Sequence, residues 1–206
     1  MDTKSKILAS ALALFNEKGV KQVSLRTISD AMGISLGNLT YHFKKREDII
    51  EALYLQLVAT LDEVITANPL SDNPLQLLFE IPKLMLRQFF TYRFLMLDFV
   101  DITRNHDAIR KHYQKLMDVR KNQFAFLIKR LVTTELMRDE LVSQEYFHLF
   151  QNLRIVCDFW FSAISVDSNS SLTEKDVLDG TALVHQILMP YLTEKGREEA
   201  LKRGIL

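Results

Sequence analysis

The chain has 206 residues, 48% of them apolar and 25% charged, a globular balance that excludes a disordered polymer and can bury a sizeable core. Lys plus Arg equals Asp plus Glu at 26 each, so no whole-chain field selects a polyanion or a membrane surface. The single cysteine, Cys157, excludes an internal disulfide and points to a reducing, cytoplasmic setting.

Six glycines and four prolines are few enough to favour long helices, and the expected fold class is all-α. Ile7, Leu8, Ala11, Leu12 and Phe15 fall on one face of a first helix from about Thr3 to Lys18, stopped at Gly19. Behind Lys4 and Lys6 this run imitates a signal peptide, but Asn16-Glu17-Lys18 follows with no small-residue cleavage pattern. Ser24 caps a second helix over Leu25 to Met32, Gly33 takes a tight turn, and Ser35 caps a third helix to about His42. Glu47 and Asp48 open a fourth helix, where acids suit the positive end of the helix dipole. It continues through Leu53, Leu57, Leu61 and Ile65 to a loop from Asn68-Pro69 to Asn73-Pro74.

Beyond the loop, helical patterns cover roughly 75–91, 92–104, 107–135, 143–166 and 173–194, followed by a charged tail. Pro82 and Pro190 predict kinks or displaced boundaries. No stretch is apolar for long enough to span a bilayer. The 143–166 helix is apolar on most of its circumference: Leu149, Leu153, Val156, Trp160 and Ala163 make one stripe, with Phe150, Cys157, Phe161 and Ile164 beside it. Ile155 and Phe159 extend that surface further round. So much apolar area needs burial, and a second copy of the chain is its economical source. The expectation is an isologous homodimer through 143–166 and 173–194.

Charge is unevenly placed. Residues 1–46 carry eight Lys/Arg against three Asp/Glu, whereas 47–206 carry 18 against 23. The domain boundary is placed there: 1–46 as a three-helix helix-turn-helix head, 47–206 as a helical dimerisation body, joined rigidly by the fourth helix. Leu25, Ile28, Ile34, Leu39 and Phe43 have the spacing to hold the second and third helices at a fixed angle, and Ser29 is small enough for close approach. On the third helix, Asn38 can pair with adenine, Leu36 can meet a thymine methyl, and Gly37 lets backbone come close. Thr40, Tyr41 and His42 offer donors to phosphate, and Arg26 can fork onto guanine. The candidate DNA-facing set is Arg26, Thr27, Ser35, Leu36, Gly37, Asn38, Thr40, Tyr41, His42, Lys44, Lys45 and Arg46. Singly, each residue reads as well as a solvated surface group; their convergence on one short helix favours DNA.

Residues 1 to about 55 resemble the DNA-binding domain of the TetR family of bacterial transcriptional regulators. The resemblance is carried by Ile28 through Gly33-Ile34-Ser35, Gly37-Asn38-Leu39, His42-Phe43 and Lys44-Lys45-Arg46-Glu47-Asp48-Ile49. It implies base contacts near Arg26, Leu36, Gly37 and Asn38, and phosphate contacts from Thr40, His42, Lys44 and Arg46. The family usually has tyrosine where this chain has Thr40, and lysine where it has Arg46; Tyr41 follows directly. The resemblance further implies a repressor that binds a double-stranded DNA operator and responds to a small apolar ligand held between body helices. Candidate cavity residues are Phe99, Phe124, Phe150 and Trp160, with His148, Gln151 or Asn152 as polar orienters.

Other chemistries find little footing. The chain has no Gly-rich phosphate loop, no serine nucleophile elbow and no His-Glu-x-x-His pattern, so no catalytic, metal or cofactor residues are assigned. His106 and His112 do not share a helix face, and His148 lies about 180° from Cys157. Cys157, inside the most apolar helix, reads as packing rather than as a redox sensor. The competing reading is a helical ligand-binding or interaction module whose head no longer reads DNA.

Overall fold

A computed structural model describes residues 2–66, 73–167 and 171–205. The expected loop at Asn68-Pro69 lies outside the described residues. Eleven α-helices occur among those residues: α1 Thr3–Lys18, α2 Leu25–Met32, α3 Leu36–His42, α4 Arg46–Thr66, α5 Pro74–Thr91, α6 Arg93–Leu97, α7 Phe99–Asn105, α8 Asp107–Thr133, α9 Glu145–Asp167, α10 Glu174–Leu188 and α11 Glu194–Lys202. The chain is all-α, with the helix-turn-helix at its N-terminus and a helical body behind it.

Local chemistry sets the head. Ser24 Oγ accepts from the Thr27 N–H at 3.1 Å while Thr27 Oγ1 accepts from the Ser24 N–H at 3.4 Å, a reciprocal cap on α2. Gly33, at φ 64°, makes the left-handed turn that ends it. Ser35 Oγ then accepts from the Asn38 N–H at 3.1 Å and starts α3. Ile7, Ala11, Ile28, Leu39 and Phe43, together with Ile49 of α4, are buried in the hydrophobic core.

The expected 92–104 helix is two, broken at Asp98. Phe94, Leu95 and Met96 are buried consecutively, more than one helical stripe can hide, because α6 is wedged among α1, α5 and α9. Helix α5 runs through Pro82, which supplies no N–H to the turn before it. Pro190 instead falls in a 3-10 turn, Met189–Tyr191, that closes α10 early.

The expected charged tail is folded as α11. Thr193 caps it, accepting from the Gly196 N–H at 3.0 Å, and Gly196 and Ala200 are buried. The Thr193 N–H and the Lys195 ammonium donate to the carbonyls of Leu136 and Thr134 at 3.2 and 2.9 Å, docking α11 on the turn after α8. A β-carbon at Gly196 would stand 2.0 Å from the Leu136 carbonyl oxygen, a contact no side-chain rotation relieves. Gly196→Ala is therefore expected to lower the melting temperature, at a cost of about 1–3 kcal/mol. Gly37→Ala, whose nearest neighbour would be 3.9 Å away, keeps the wild-type melting profile or improves on it.

Candidate nucleic-acid interface and body cavity

Helix α3 packs through Leu39, which is fully buried, and turns its other residues outward. Ser35, Leu36, Gly37, Asn38 and Tyr41 are exposed, and Tyr41 is 85% accessible. Leu36, at 42%, is a large apolar side chain left substantially exposed. Asn38 makes its cap through the backbone N–H, which leaves its amide for another partner. Thr40 is turned back, its hydroxyl donating to the Gly37 carbonyl at 3.1 Å. The adjacent Tyr41 stands edge-on to His42 with ring centroids 5.2 Å apart, so the outward phenol lies one residue beyond Thr40.

Lys44 and Lys45 are exposed beside α3. Arg46 is not deployed like them. Its Nη1 donates to the Val20 carbonyl at 3.1 Å and its Nη2 to Glu47 at 3.3 Å, so the guanidinium braces the start of α4 against the turn between α1 and α2. On α2, Arg26 is exposed and within 3.9 Å of the Asp30 carboxylate. The hydroxyl of Thr27 is taken up in its cap. Sequence reasoning could grade none of these three by availability, because the competing partners are folding contacts. Among the remaining positions, Asn38, Tyr41, Lys44 and Lys45 are exposed and His42 is half-exposed, bearing an amide, a phenol, two ammonium groups and an imidazole.

Behind the head, α4, α5, α8 and α9 enclose a cavity of about 370 Å³. Its walls are mostly apolar and aromatic, with Phe99, Phe124 and Phe150 among them. His148, Gln151 and Trp160 stand outside that lining. On α9 the cavity takes Phe150, Leu153, Arg154, Cys157 and Asp158, the i, i+3, i+4, i+7, i+8 series of one helical face. His148 projects to the opposite side and is exposed. Trp160 turns to α10, where its Nε1 donates to the Asp176 carbonyl at 2.7 Å and its ring fills the space over Gly180. Asn152 is exposed on the outer face.

The polar groups that do face the cavity include Tyr54, Tyr113, Arg154 and Asp158. Tyr113 donates its phenol proton to Asp158 Oδ2. The Tyr54 hydroxyl meets His112 Nδ1 at 3.0 Å, and burial pushes its ionisation up to about 12. Burial first, and Asp158 second, push the Cys157 thiol up to about 12, which keeps it protonated and unreactive near neutral pH. Asp158 is 8% exposed. Burial pushes its carboxyl from the ordinary 3.8 up to about 6, against the opposing pull of the Tyr113 hydrogen bond and the Arg154 charge. An acid in an apolar helix carries no local signal that pairs it with a tyrosine 45 positions away. Among the described residues no group of three or more His, Cys, Asp or Glu side chains is arranged to hold a metal. No described helix is long and apolar enough to cross a membrane.

Asp158 gives a pH signature. Because its proton is held more tightly folded than unfolded, stability falls as pH rises from about 3.8 to about 6 and this contribution is flat above. The total loss is on the order of 2–3 kcal/mol. Against wild type, Asp158→Asn should gain melting temperature across that window and hold a constant difference beyond it; a difference independent of pH would mean the acid titrates normally.

Two family models match the chain: bacterial regulatory proteins of the tetR family over residues 7–53, and the TetR bacterial transcriptional repressor over residues 56–200. The probable HTH-type transcriptional regulator YttP of Bacillus subtilis is 23% identical over 151 residues, 70% of this chain and 62% of that protein. The HTH-type transcriptional repressor KstR2 of Mycobacterium tuberculosis is 34% identical over 73 residues, 32% of this chain and 36% of its own length. The chain thus spans less than two thirds of the length of these curated relatives. A crystal structure of a TetR-family transcriptional regulator from Marinobacter aquaeolei superposes with a TM-score of 0.83 at 25% identity, covering 100% of this chain and 99% of that one. The second family model alone spans more than half of the sequence. The chain belongs to the TetR family of bacterial transcriptional regulators.

Proposed function

We propose that the protein is a ligand-responsive repressor that acts in the cytoplasm as a homodimer on a near-palindromic operator. Residues 1–46 serve as the DNA-binding domain and 47–206 as the ligand-binding and dimerisation domain. The observation that carries this reading is α3: a capped, packed helix whose outward side chains are suited to base edges and are uncovered within the chain.

In the bound state Leu36, Gly37 and Asn38 approach the bases, while Tyr41, His42, Lys44 and Lys45 hold the phosphates. Tyr41 takes the phosphate role that the turned-back hydroxyl of Thr40 leaves open. Ser35 contributes through its capped helix start, and Arg26 through an exposed guanidinium held loosely by Asp30. Two copies of α3 occupy successive major grooves with centres about 34 Å apart.

Dimerisation is supported by the outer face of α9. His148, Asn152, Ile155, Phe159, Ala163 and Val166 are all exposed and lie on one side of the helix, opposite the cavity face. Ile155 is 51% and Val166 85% accessible, and Leu178 on α10 is 58% accessible. These side chains meet a second copy across a twofold axis, through the helices within 143–166 and 173–194. A small apolar molecule in the body cavity then favours a state whose α3 spacing no longer matches the operator. It must bind the two states unequally, because equal affinity shifts nothing.

Asn38→Ala should lose about 1–3 kcal/mol of preference for the cognate over a scrambled operator in competition binding. Lys44→Ala should instead weaken both DNAs alike and reduce the slope of affinity against salt. An unchanged cognate-to-scrambled ratio in Asn38→Ala would remove the base-reading assignment. Ile155→Glu should convert the dimer to monomer in sedimentation velocity while the helical circular dichroism is retained; a dimer that survives it uses another surface.

A further inference from the structure

The inner end of the body cavity holds a chemical asymmetry that apolar packing does not require. Asp158 is buried, faces the cavity, and has one carboxylate oxygen satisfied by Tyr113. Among the described residues no cation forms an ion pair with it. Arg154, one helical turn back, lies near enough to favour the ionised acid without touching it. Arg120, also in the wall, is already paired with Asp62 and donates to Gln123 at 2.9 Å. Arg130 stands about 25 Å further along α8 from Tyr113, towards the other end.

A buried carboxylate without a cation is costly, and a fold that needed only packing would be better served there by leucine or methionine. Two aromatic rings lie beside the same spot. Phe99 meets Tyr113 edge-on with centroids 4.9 Å apart, and both line the cavity. A carboxylate beside electron-rich ring faces is complementary to a positively charged nitrogen carried on an apolar body.

We propose that the ligand of this cavity is an apolar organic ammonium, its charged nitrogen seated against Asp158 beside the Phe99–Tyr113 ring pair and its hydrocarbon along the wall of α4 and α5. This deepens the ligand-responsive reading above and rests on it. The cation supplies the charge partner that the fold withholds from Asp158, so selectivity against neutral and anionic molecules of the same shape arises at this one residue. The hydrocarbon portion displaces solvent from an apolar wall and contributes affinity without discriminating charge.

Three probes of one chain length separate charge from shape: decylammonium, 1-decanol and decanoate, each titrated calorimetrically into the full chain near neutral pH and below its micelle-forming concentration. Decylammonium is expected to bind about tenfold or more tightly than either analogue. Asp158→Asn should erase that advantage and leave the 1-decanol affinity within a factor of about two. Arg154→Gln, which removes the neighbouring positive charge without touching the acid, should tighten decylammonium and leave 1-decanol unmoved; this variant carries the test if Asp158→Asn proves poorly folded. Decanoate binding best, or a preference for ammonium that survives Asp158→Asn, would overturn the assignment while leaving a ligand cavity in place. Failure of all three probes to bind wild type would overturn the ligand-cavity reading as well.

Discussion

One helix carries the mechanical constraint on which the molecule depends. Ile49, Ile50, Leu53, Tyr54, Leu57, Val58 and Leu61 form an unbroken buried stripe along α4, each 7% exposed or less. The first of these residues belong to the core of the head; Tyr54, Leu57, Val58 and Leu61 are cavity wall. No linker separates the two environments, so an α-helix, stiff over its 21 residues, must move as a unit. In the proposed ligand response, a cavity that widens against Leu57 and Leu61 would therefore re-aim α3.

A second attachment prevents α4 from acting as a simple lever. Asn16, near the end of α1, donates its amide to the Thr91 carbonyl at 2.8 Å and accepts from the Phe94 N–H at 3.1 Å. Phe15 and Phe94 pack with ring centroids 5.0 Å apart at the same junction. That junction leads directly back to the cavity, because Met96 on α6 and Phe99 at the start of α7 are in its wall, and Ser162 on α9 donates to the Met96 carbonyl at 2.7 Å. Lys21 of the head also lies 3.7 Å from the Asp101 carboxylate on α7, so the head is held both through α4 and through the α5–α7 side of the cavity. In the proposed dimer, displacing one attachment relative to the other would rotate the head and change the spacing of the two recognition helices.

The head was legible in the sequence because its determinants are local. Ser24, Gly33 and Ser35 act within three or four residues, and the apolar spacing of Ile28, Leu39 and Phe43 needs only a helical period. Residues whose role depends on a distant partner were illegible. Arg46 reads as a third cation after Lys44 and Lys45, yet Val20, 26 positions earlier, turns it inward. Trp160 reads as a cavity wall, yet the glycine that admits its ring is Gly180, on the next helix. Aromatic content predicts a greasy body, and the family resemblance suggests the cavity in whose wall Phe99, Phe124 and Phe150 lie, but periodicity cannot say which neighbour a stripe faces. The folded tail was overlooked for a different reason: its cap and its small docking residues, Thr193, Gly196 and Ala200, are individually weak signals inside a charged run.

The two faces of α9 bring these threads together. Phe150, Leu153, Cys157 and Asp158 line the cavity, while Ile155, Phe159, Ala163 and Val166 point away from it. A helix with side chains is about 10–12 Å across and close-packed, so its inner face cannot shift and leave its outer face behind. In the proposed dimer that outer face is the twofold contact, which places the ligand's charge partner and the subunit interface on the same rigid element. In that proposed arrangement a ligand seated at Asp158 would act from the dimer's own reference frame: α9 would be fixed by its mate, and the elements left to yield would be α4 and the α5–α7 segment on the far wall. Those are the elements that carry the head.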